Sequence, residues 1–241
     1  MKVSVIICTL DKNQILPETI PSIKRSLLVD ELIIVGGEFK PIGCARDVGW
    51  RKAKNPLICF IDDDEIVSEG WIERLAEEFK DPKIGAVWST LKPLNKNKIN
   101  NLECILQNHT LKRFSLNARF VRKKALEDIG GYEHTIGGET VYAARKLIQH
   151  GWKIKIVDYP FLHKLHENGY AWILNIYGAG KIRAHEIREH RELLSYFKKT
   201  LGSFLRGFQL SILYKEPLLF LFYLLRCWLY FLGVIRGNFK A

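Results

Sequence analysis

The sequence predicts an α/β fold: a mainly parallel sheet with flanking helices over residues 1–180, then a helical, membrane-interacting appendage over residues 181–241. Three observations carry this expectation. Val3-Ser4-Val5-Ile6-Ile7-Cys8 and Leu57-Ile58-Cys59-Phe60-Ile61 are short, apolar-rich runs, the second typical of a strand buried on both faces in the middle of a parallel sheet. Between them the patterning runs strand, helix, strand, which is a βαβ unit with a right-handed crossover. In the last third the composition changes: large apolar residues mix with lysine and arginine, and Leu218–Ile235 is almost wholly apolar.

Taken in order, residues 3–8 form the first strand and Thr9-Leu10-Asp11-Lys12-Asn13 a polar turn. A helix follows from about Pro17 to Leu28, then a strand Leu32–Val35 closed by Gly36-Gly37. Gly43–Lys54 reads as the next helix, delivering the chain to the strand Leu57–Ile61. Ser68 is placed to cap a helix whose apolar positions Trp71, Ile72, Leu75 and Phe79 keep helical spacing. Ile84–Thr90 is a further strand, and the Lys/Asn-rich stretch Lys92–Asn101 reads as a surface loop. A strand-like run through Ala118-Arg119-Phe120-Val121 leads to a helix over Lys123–Ile129, stopped by Gly130-Gly131. Glu139 opens a helix that ends at Gly151, and a strand follows over Lys153–Val157.

Charge and cysteine usage bound the class. A formal charge of +11 asks for an anionic destination, which nucleic acid, membrane or phosphorylated substrates all supply. No helix-turn-helix, zinc or RNA-binding signature accompanies that charge, so nucleic acid is not expected as a partner. Cys8, Cys44, Cys59, Cys104 and Cys227 are odd in number and show no C-x-x-C spacing. They read as reduced thiols of a cytosolic protein without a zinc site. The first apolar run is too short for a signal peptide, which keeps the catalytic part in the cytoplasm.

The chemistry concentrates where the Leu57–Ile61 run stops at Asp62-Asp63-Asp64-Glu65. Ligands of open α/β sheets bind just beyond the strand carboxyl ends, so these acids sit where a site is expected. Alternation along an extended strand sends Asp62 and Asp64 to one side and Asp63 to the other. Two carboxylates on one side suit Mg²⁺ or Mn²⁺, whose remaining positions go to water and phosphate oxygens.

In order and spacing the motifs resemble the inverting nucleotide-sugar glycosyltransferases of family 2, which have the Rossmann-like GT-A fold. Val3–Thr9 is similar to that family's first strand, and Gly43-Cys44-Ala45-Arg46-Asp47-Val48-Gly49 to its "aRN-x-G" helix, with Asp47 for the usual asparagine. Phe60–Asp64 resembles the D-x-D strand end, and Gly70-Trp71-Ile72 the start of the following helix. Asn117–Tyr132 resembles the acceptor-side segment ending in "GGF", and Gly138-Glu139-Thr140 stands at "G-E-D". The resemblance implies a divalent cation, Mg²⁺ or Mn²⁺, at Asp62 and Asp64, with His163 completing its shell. It implies nucleotide contacts from Thr9, Glu38, Arg46 and Asp62, and a base at Glu139. Two departures bear on this: only Glu38 of Gly36-Gly37-Glu38-Phe39 can stand for the usual "DD-x-S", and Thr140 replaces the usual aspartate base, leaving Glu139 as the adjacent carboxylate. Arg46 is the basic side chain best placed to neutralise phosphate. Trp50 and Trp88 read as core, with the sugar pocket as the other reading.

The tail carries the remaining signal. Lys181–Arg191 is rich in lysine, arginine and histidine, and Leu193–Tyr214 has the composition of an amphipathic helix at a membrane interface. Leu218–Ile235 just reaches spanning length, yet Arg226 at its centre costs about 2.5–3.5 kcal/mol on insertion. An interfacial or re-entrant hairpin at the cytoplasmic side of the cell membrane is therefore expected, suggesting a polyprenyl-linked or glycan acceptor. The rival from another class is an inactive GT-A scaffold acting as a membrane-tethered binding protein.

Overall fold

The apolar runs form strands where their patterning places them. The computed structural model describes residues 1–114, 117–135, 137–186 and 190–238. The chain folds as two units, one of residues 1–96 and 103–165, the other of residues 97–102 and 166–241. In chain order the first unit holds β1 (Val3–Cys8), α1 (Thr19–Lys24), β2 (Val29–Val35), α2 (Ile42–Lys52), β3 (Leu57–Asp62) and β4 (Glu65–Ile66). These are followed by α3 (Trp71–Ala76), β5 (Ile84–Pro93), most of α4 (Lys98–Phe114), β6 (Phe120–Arg122), α5 (Lys123–Ile129), α6 (Glu139–Gln149) and β7 (Lys153–His163).

The seven strands form one sheet in the order β2-β1-β3-β6-β5-β7-β4. β2, β1 and β3 run parallel, as the βαβ reading requires. Beyond β3 the sheet is mixed: β6 is antiparallel to both β3 and β5, β5 and β7 are parallel, and β4 is antiparallel to β7. β3 is thus buried on both faces but has a parallel neighbour on one side only. Its odd residues Leu57, Cys59 and Ile61 join Val3, Val5, Ile7, Trp71 and Trp88 in one core layer. Its even residues Ile58 and Phe60 join Ile6, Cys8, Ala45, Trp50 and Leu126 in the other. The register pairs Cys8 with Val35 and with Asp62, so three strand carboxyl ends finish level with one another.

Several elements differ from the expected ones, each for a local reason. α1 is trimmed to Thr19–Lys24: Pro21 needs the first turn, where its missing N–H goes unused, and Ser26 Oγ accepts the Leu28 amide at 3.2 Å, ending the turn. Ser68 does not cap α3; Gly70 holds that position with φ 69°, while Ser68 Oγ donates to the Pro160 carbonyl at 2.8 Å. The predicted loop Lys92–Asn101 is strand to Pro93, and from Lys98 it is the unforeseen helix α4. Its asparagines act as caps: Asn97 Oδ1 accepts the Asn100 amide at 2.8 Å and Asn97 O the Asn101 amide at 3.0 Å. β7 runs on past Val157 to His163.

α5 ends as expected at Gly130, with φ 77°. Gly131 follows at φ 91°, where an added Cβ would lie 2.1 Å from Asp47 Oδ1 and 2.8 Å from Trp50 Nε1. Gly131→Ala is accordingly expected to destabilise the protein by about 3 kcal/mol in urea unfolding. Asp47, on α2, organises this corner: it accepts Trp50 Nε1 at 2.7 Å, Arg51 Nε at 2.9 Å and the Tyr132 amide at 3.2 Å. Burial opposes its charge, but the bonds from Arg51 and Trp50 outweigh it and hold the carboxyl below the usual aspartate range. A depressed folded pKa contributes stability above the unfolded value and loses it as pH falls through the folded one. With Arg51 largely exposed, Asp47→Asn is expected to cost about 1 kcal/mol at neutral pH. In thermal melts that difference should begin to shrink below about pH 4, the unfolded value, and be lost as pH falls through the lower folded one.

The second unit holds the first turn of α4 together with α7 (Gly169–Glu186), α8 (His190–Leu201), α9 (Ser203–Leu213) and α10 (Leu218–Asn238). The expected amphipathic stretch Leu193–Tyr214 is two helices, broken at Gly202. Residues 187–189 of the basic run and Lys240 lie outside the described residues. α7 and α10 pack at closest approach through Gly180 and Gly233: a Cβ on either would lie 2.1 Å from the Tyr230 or the Tyr177 carbonyl oxygen. Trp172 stacks on Phe222 with ring centroids 4.6 Å apart. Leu218–Gly237 is long and apolar enough to cross a membrane.

Candidate active site

The level strand ends open onto a cavity of about 760 Å³. Its lining comes from the turn after β1 (Cys8, Thr9, Leu10), the loop after β2 (Gly36, Gly37, Phe39, Lys40), α2 (Ala45, Arg46), the turn after β3 (Asp62, Asp63, Asp64) and the end of β7 (His163). The first unit alone supplies these residues. β3 ends at Asp62, and Asp63-Asp64 form a turn leading into β4. Strand alternation therefore stops at Asp62, and all three aspartates line the cavity, so the expected outward placement of Asp63 is corrected.

Each aspartate has a different partner. Asp62 Oδ1 accepts Arg46 Nη2 at 3.0 Å, and its Oδ2 lies 2.9 Å from Arg119 Nη2. Burial opposes its charge, but Arg119 and Arg46 together hold the carboxyl below the usual range. Asp63 Oδ2 accepts the Thr9 hydroxyl at 2.5 Å. Asp64 Oδ2 lies 3.3 Å from His163 Nε2, the register of β4 and β7 having brought His163 opposite Glu65. Burial disfavours the imidazolium, but the Asp64 contact and the charges of Glu65, Asp64 and Asp62 outweigh it and raise the pKa of His163.

Behind the aspartates runs an alternating chain of charges. Glu139 Oε1 accepts Arg46 Nε at 2.8 Å, Arg46 reaches Asp62, and Asp62 reaches Arg119. Arg119 then forms a two-pronged pair with Glu65 at 2.8 and 2.6 Å. The Glu65 carboxylate in turn accepts the Asp62 amide at 2.9 Å. Both guanidiniums lie over aromatic rings, Arg46 at 5.2 Å from the Phe60 centroid and Arg119 at 4.4 Å from that of Trp88. Such pairing makes burial of Arg46, Arg119, Glu65 and Glu139 tolerable, since a lone buried charge would be neutralised instead; at Glu65 burial still outweighs Arg119 and raises the pKa.

The sequence-derived candidates fall into four places. Thr9, Arg46, Asp62, Asp64 and His163 line one cavity. Glu139 stands behind Arg46 at the entrance of α6, buried and absent from the cavity lining. Glu38 is exposed in the loop at the cavity, its carboxylate folded back over Gly36. Trp50 and Trp88 are core residues, at 5% and 1% exposure. Arg119 and Glu65 escaped sequence reasoning. The signal for Arg119 was a charged residue inside the apolar run Ala118–Val121, which a buried strand admits only when an acid waits for it.

A mixed sheet with helices on both faces and carboxylates at the central strand end is a GT-A fold. Solved structures agree. The mannosyltransferase PcManGT from Pyrobaculum calidifontis, solved with GDP-Man and Mn²⁺, is similar over 99% of this chain and 87% of that one, with a TM-score of 0.65 at 15% identity. TarS from S. aureus, solved with UDP-GlcNAc, matches 77% of this chain and 66% of its own at a TM-score of 0.53 and 14% identity. Residues 42–131 match the family described as Glycosyl transferase family 2. A pre-mycofactocin glycosyltransferase from Mycobacterium tuberculosis is 25% identical over 127 residues, 46% of this chain and 27% of that protein. The chain thus spans about a quarter of the length of the curated relatives it matches.

Proposed function

We propose that the protein is an inverting glycosyltransferase that moves a sugar from a nucleotide-diphosphate donor to an acceptor hydroxyl or a lipid phosphate. The observation that carries this is the convergence of Asp62, Asp63, Asp64 and His163 on one cavity at level strand ends. The donor set fits a divalent cation, Mg²⁺ or Mn²⁺: Asp64 is half-exposed and, among the described residues, its carboxylate pairs only with His163, one oxygen and one nitrogen ligand side by side. Asp62, with an arginine on each oxygen, would contribute through water or toward the ribose. When bound, the cation supplies Lewis-acid stabilisation of the departing diphosphate.

The chain's own groups do the rest. Thr9 and the Gly36-Gly37 loop, with Glu38 at its edge, flank the nucleotide, and Arg46 presents positive charge to the phosphates. The acceptor oxygen forms its bond to the anomeric carbon while the bond to the diphosphate oxygen breaks, and that oxygen keeps the electron pair. With a hydroxyl acceptor the proton passes to Glu139, which Arg46 orients through Oε1. A lipid phosphate acceptor carries no proton to remove and needs no base. Residues 1–180 would form the catalytic part and residues 181–241 its attachment to the cytoplasmic side of the membrane. One observation favours a membrane-tethered binding protein instead, the withdrawal of Glu139 behind Arg46. Titration calorimetry of UDP, GDP and CDP with and without Mn²⁺ tests the main reading. One nucleotide should bind only with metal, and Asp64→Ala should abolish that binding; metal-independent binding, or none, rejects it.

A further inference from the structure

The second unit has a surface that its own packing leaves uncovered. Fifteen of the twenty large apolar side chains exposed among the described residues lie between Tyr170 and Leu232. On α9, Phe204, Phe208 and Ile212 follow one another at a four-residue spacing, each more than half exposed, while Ser203, Gly207 and Leu210 face inward. On α10, Leu218, Leu221, Leu225, Trp228 and Leu232 form a second stripe at three- and four-residue spacing, opposite the buried Leu219, Phe222 and Val234. Phe204 and Phe208 both meet the ring of Phe220, at 5.0 and 6.5 Å between centroids, which joins the two stripes.

Charge identifies what covers this surface. Residues 190–238 carry seven lysines and arginines against two glutamates. One of those glutamates, Glu216, is already held by Lys98, 2.8 Å from both its oxygens. Lys198, Lys199, Arg206 and Lys215 are exposed on α8, α9 and the turn before α10. Apolar stripes bordered by basic side chains match acyl chains beneath anionic headgroups. The mode of contact also follows. One face of α10 is taken by α7 at the Gly180 and Gly233 crossing, so only the opposite face is free for lipid. A lone spanning helix would instead meet lipid all round.

We propose that α9 and α10 lie in the plane of an anionic membrane leaflet, their exposed stripes among the acyl chains and Lys198, Lys199, Arg206 and Lys215 at the phosphates. The inference does not depend on the glycosyltransferase reading, and its test uses no substrate. The full chain is sedimented with phosphatidylcholine vesicles made with and without phosphatidylglycerol, at low and high salt. Binding should require phosphatidylglycerol and weaken with salt. Phe204→Glu with Phe208→Glu, or Leu221→Glu with Leu225→Glu, should lower vesicle partitioning on the order of a hundredfold. Lys198→Gln, Lys199→Gln and Lys215→Gln together should do the same at low salt. Leu27→Glu, at an apolar site in the first unit that is more exposed still, should change nothing. Circular dichroism matching the wild type shows that each variant folds; the lysine variants, which leave the apolar faces intact, test the proposal even if a glutamate variant does not. Equal binding to neutral vesicles, unchanged binding of the stripe variants, or a lipid-indifferent dimer dissolved by those substitutions would each overturn it.

Discussion

Replacing Arg119 with methionine is expected to destabilise the protein by about 3–5 kcal/mol, although no part of the side chain lines the cavity. Arg119 is 8% exposed and is the only cation in contact with Glu65 among the described residues, while it shares Asp62 with Arg46. Without it, Glu65, at 1% exposure and with its pKa already raised by burial, must hold an unpaired charge or take up a proton in the core, with the Asp62 amide as its remaining hydrogen bond. The loss comes from that stranded carboxylate more than from the missing ion pair. Adding Glu65→Gln should therefore recover a substantial part of the stability, because an amide oxygen still accepts the Asp62 amide and carries no charge. Urea unfolding of the wild type, the single and the double variant measures both effects. A single variant within about 1 kcal/mol of the wild type would show that water reaches Glu65 and that the charge chain is not sealed.

Glu139→Gln is expected to lower the rate of sugar transfer to a hydroxyl acceptor by about 10²- to 10⁴-fold while leaving metal-dependent nucleotide binding in place. Glutamine keeps an oxygen for Arg46 Nε at the distance Glu139 Oε1 now occupies, 2.8 Å, so the arginine stays where it is. What is lost is a group able to take a proton. Thr140→Asp, added to Glu139→Gln, returns a carboxylate one residue further along α6 and should restore part of the rate if the base has moved by one position. Undiminished transfer by Glu139→Gln would place the base elsewhere or point to an acceptor that needs none. Separate measurements of nucleotide affinity and turnover divide these outcomes cleanly.

The parts of the fold legible in the sequence were those fixed by local patterning. β1, β3 and α2 stand where their apolar spacing put them, and the turn at Asp62-Asp63-Asp64 lies at a strand end as the abrupt change from apolar to acidic required. Sheet direction beyond β3 was not legible, because β6 is only three residues long and its pairing depends on chain segments remote in sequence. α4 was hidden by its own cap: an asparagine-rich stretch marks both a loop and a helix start, and only the Asn97 contacts separate the two. In the site, the residues of the D-D-D turn could be named from type and order, and His163 only from the family resemblance. Arg119 and Glu65 could not be matched as partners, since the fold brings the residue before β6 against the first residue of β4, a strand at the far edge of the sheet order, which no local pattern encodes.

Under the proposed function the alternating chain also bears on which ligand arrives first. Glu139, Asp62, Asp63, Asp64 and Glu65 outnumber Arg46 and Arg119, and each arginine is already committed to two acids. Neither can turn wholly toward a phosphate without abandoning a carboxylate. A nucleotide diphosphate alone would thus meet three aspartates in the lining, against Lys40, His163 and an Arg46 already held by acids, whereas a divalent cation would meet the carboxylates it prefers. The proposed function therefore predicts linked nucleotide and cation affinities: whatever factor the cation adds to nucleotide binding, the nucleotide returns to the cation.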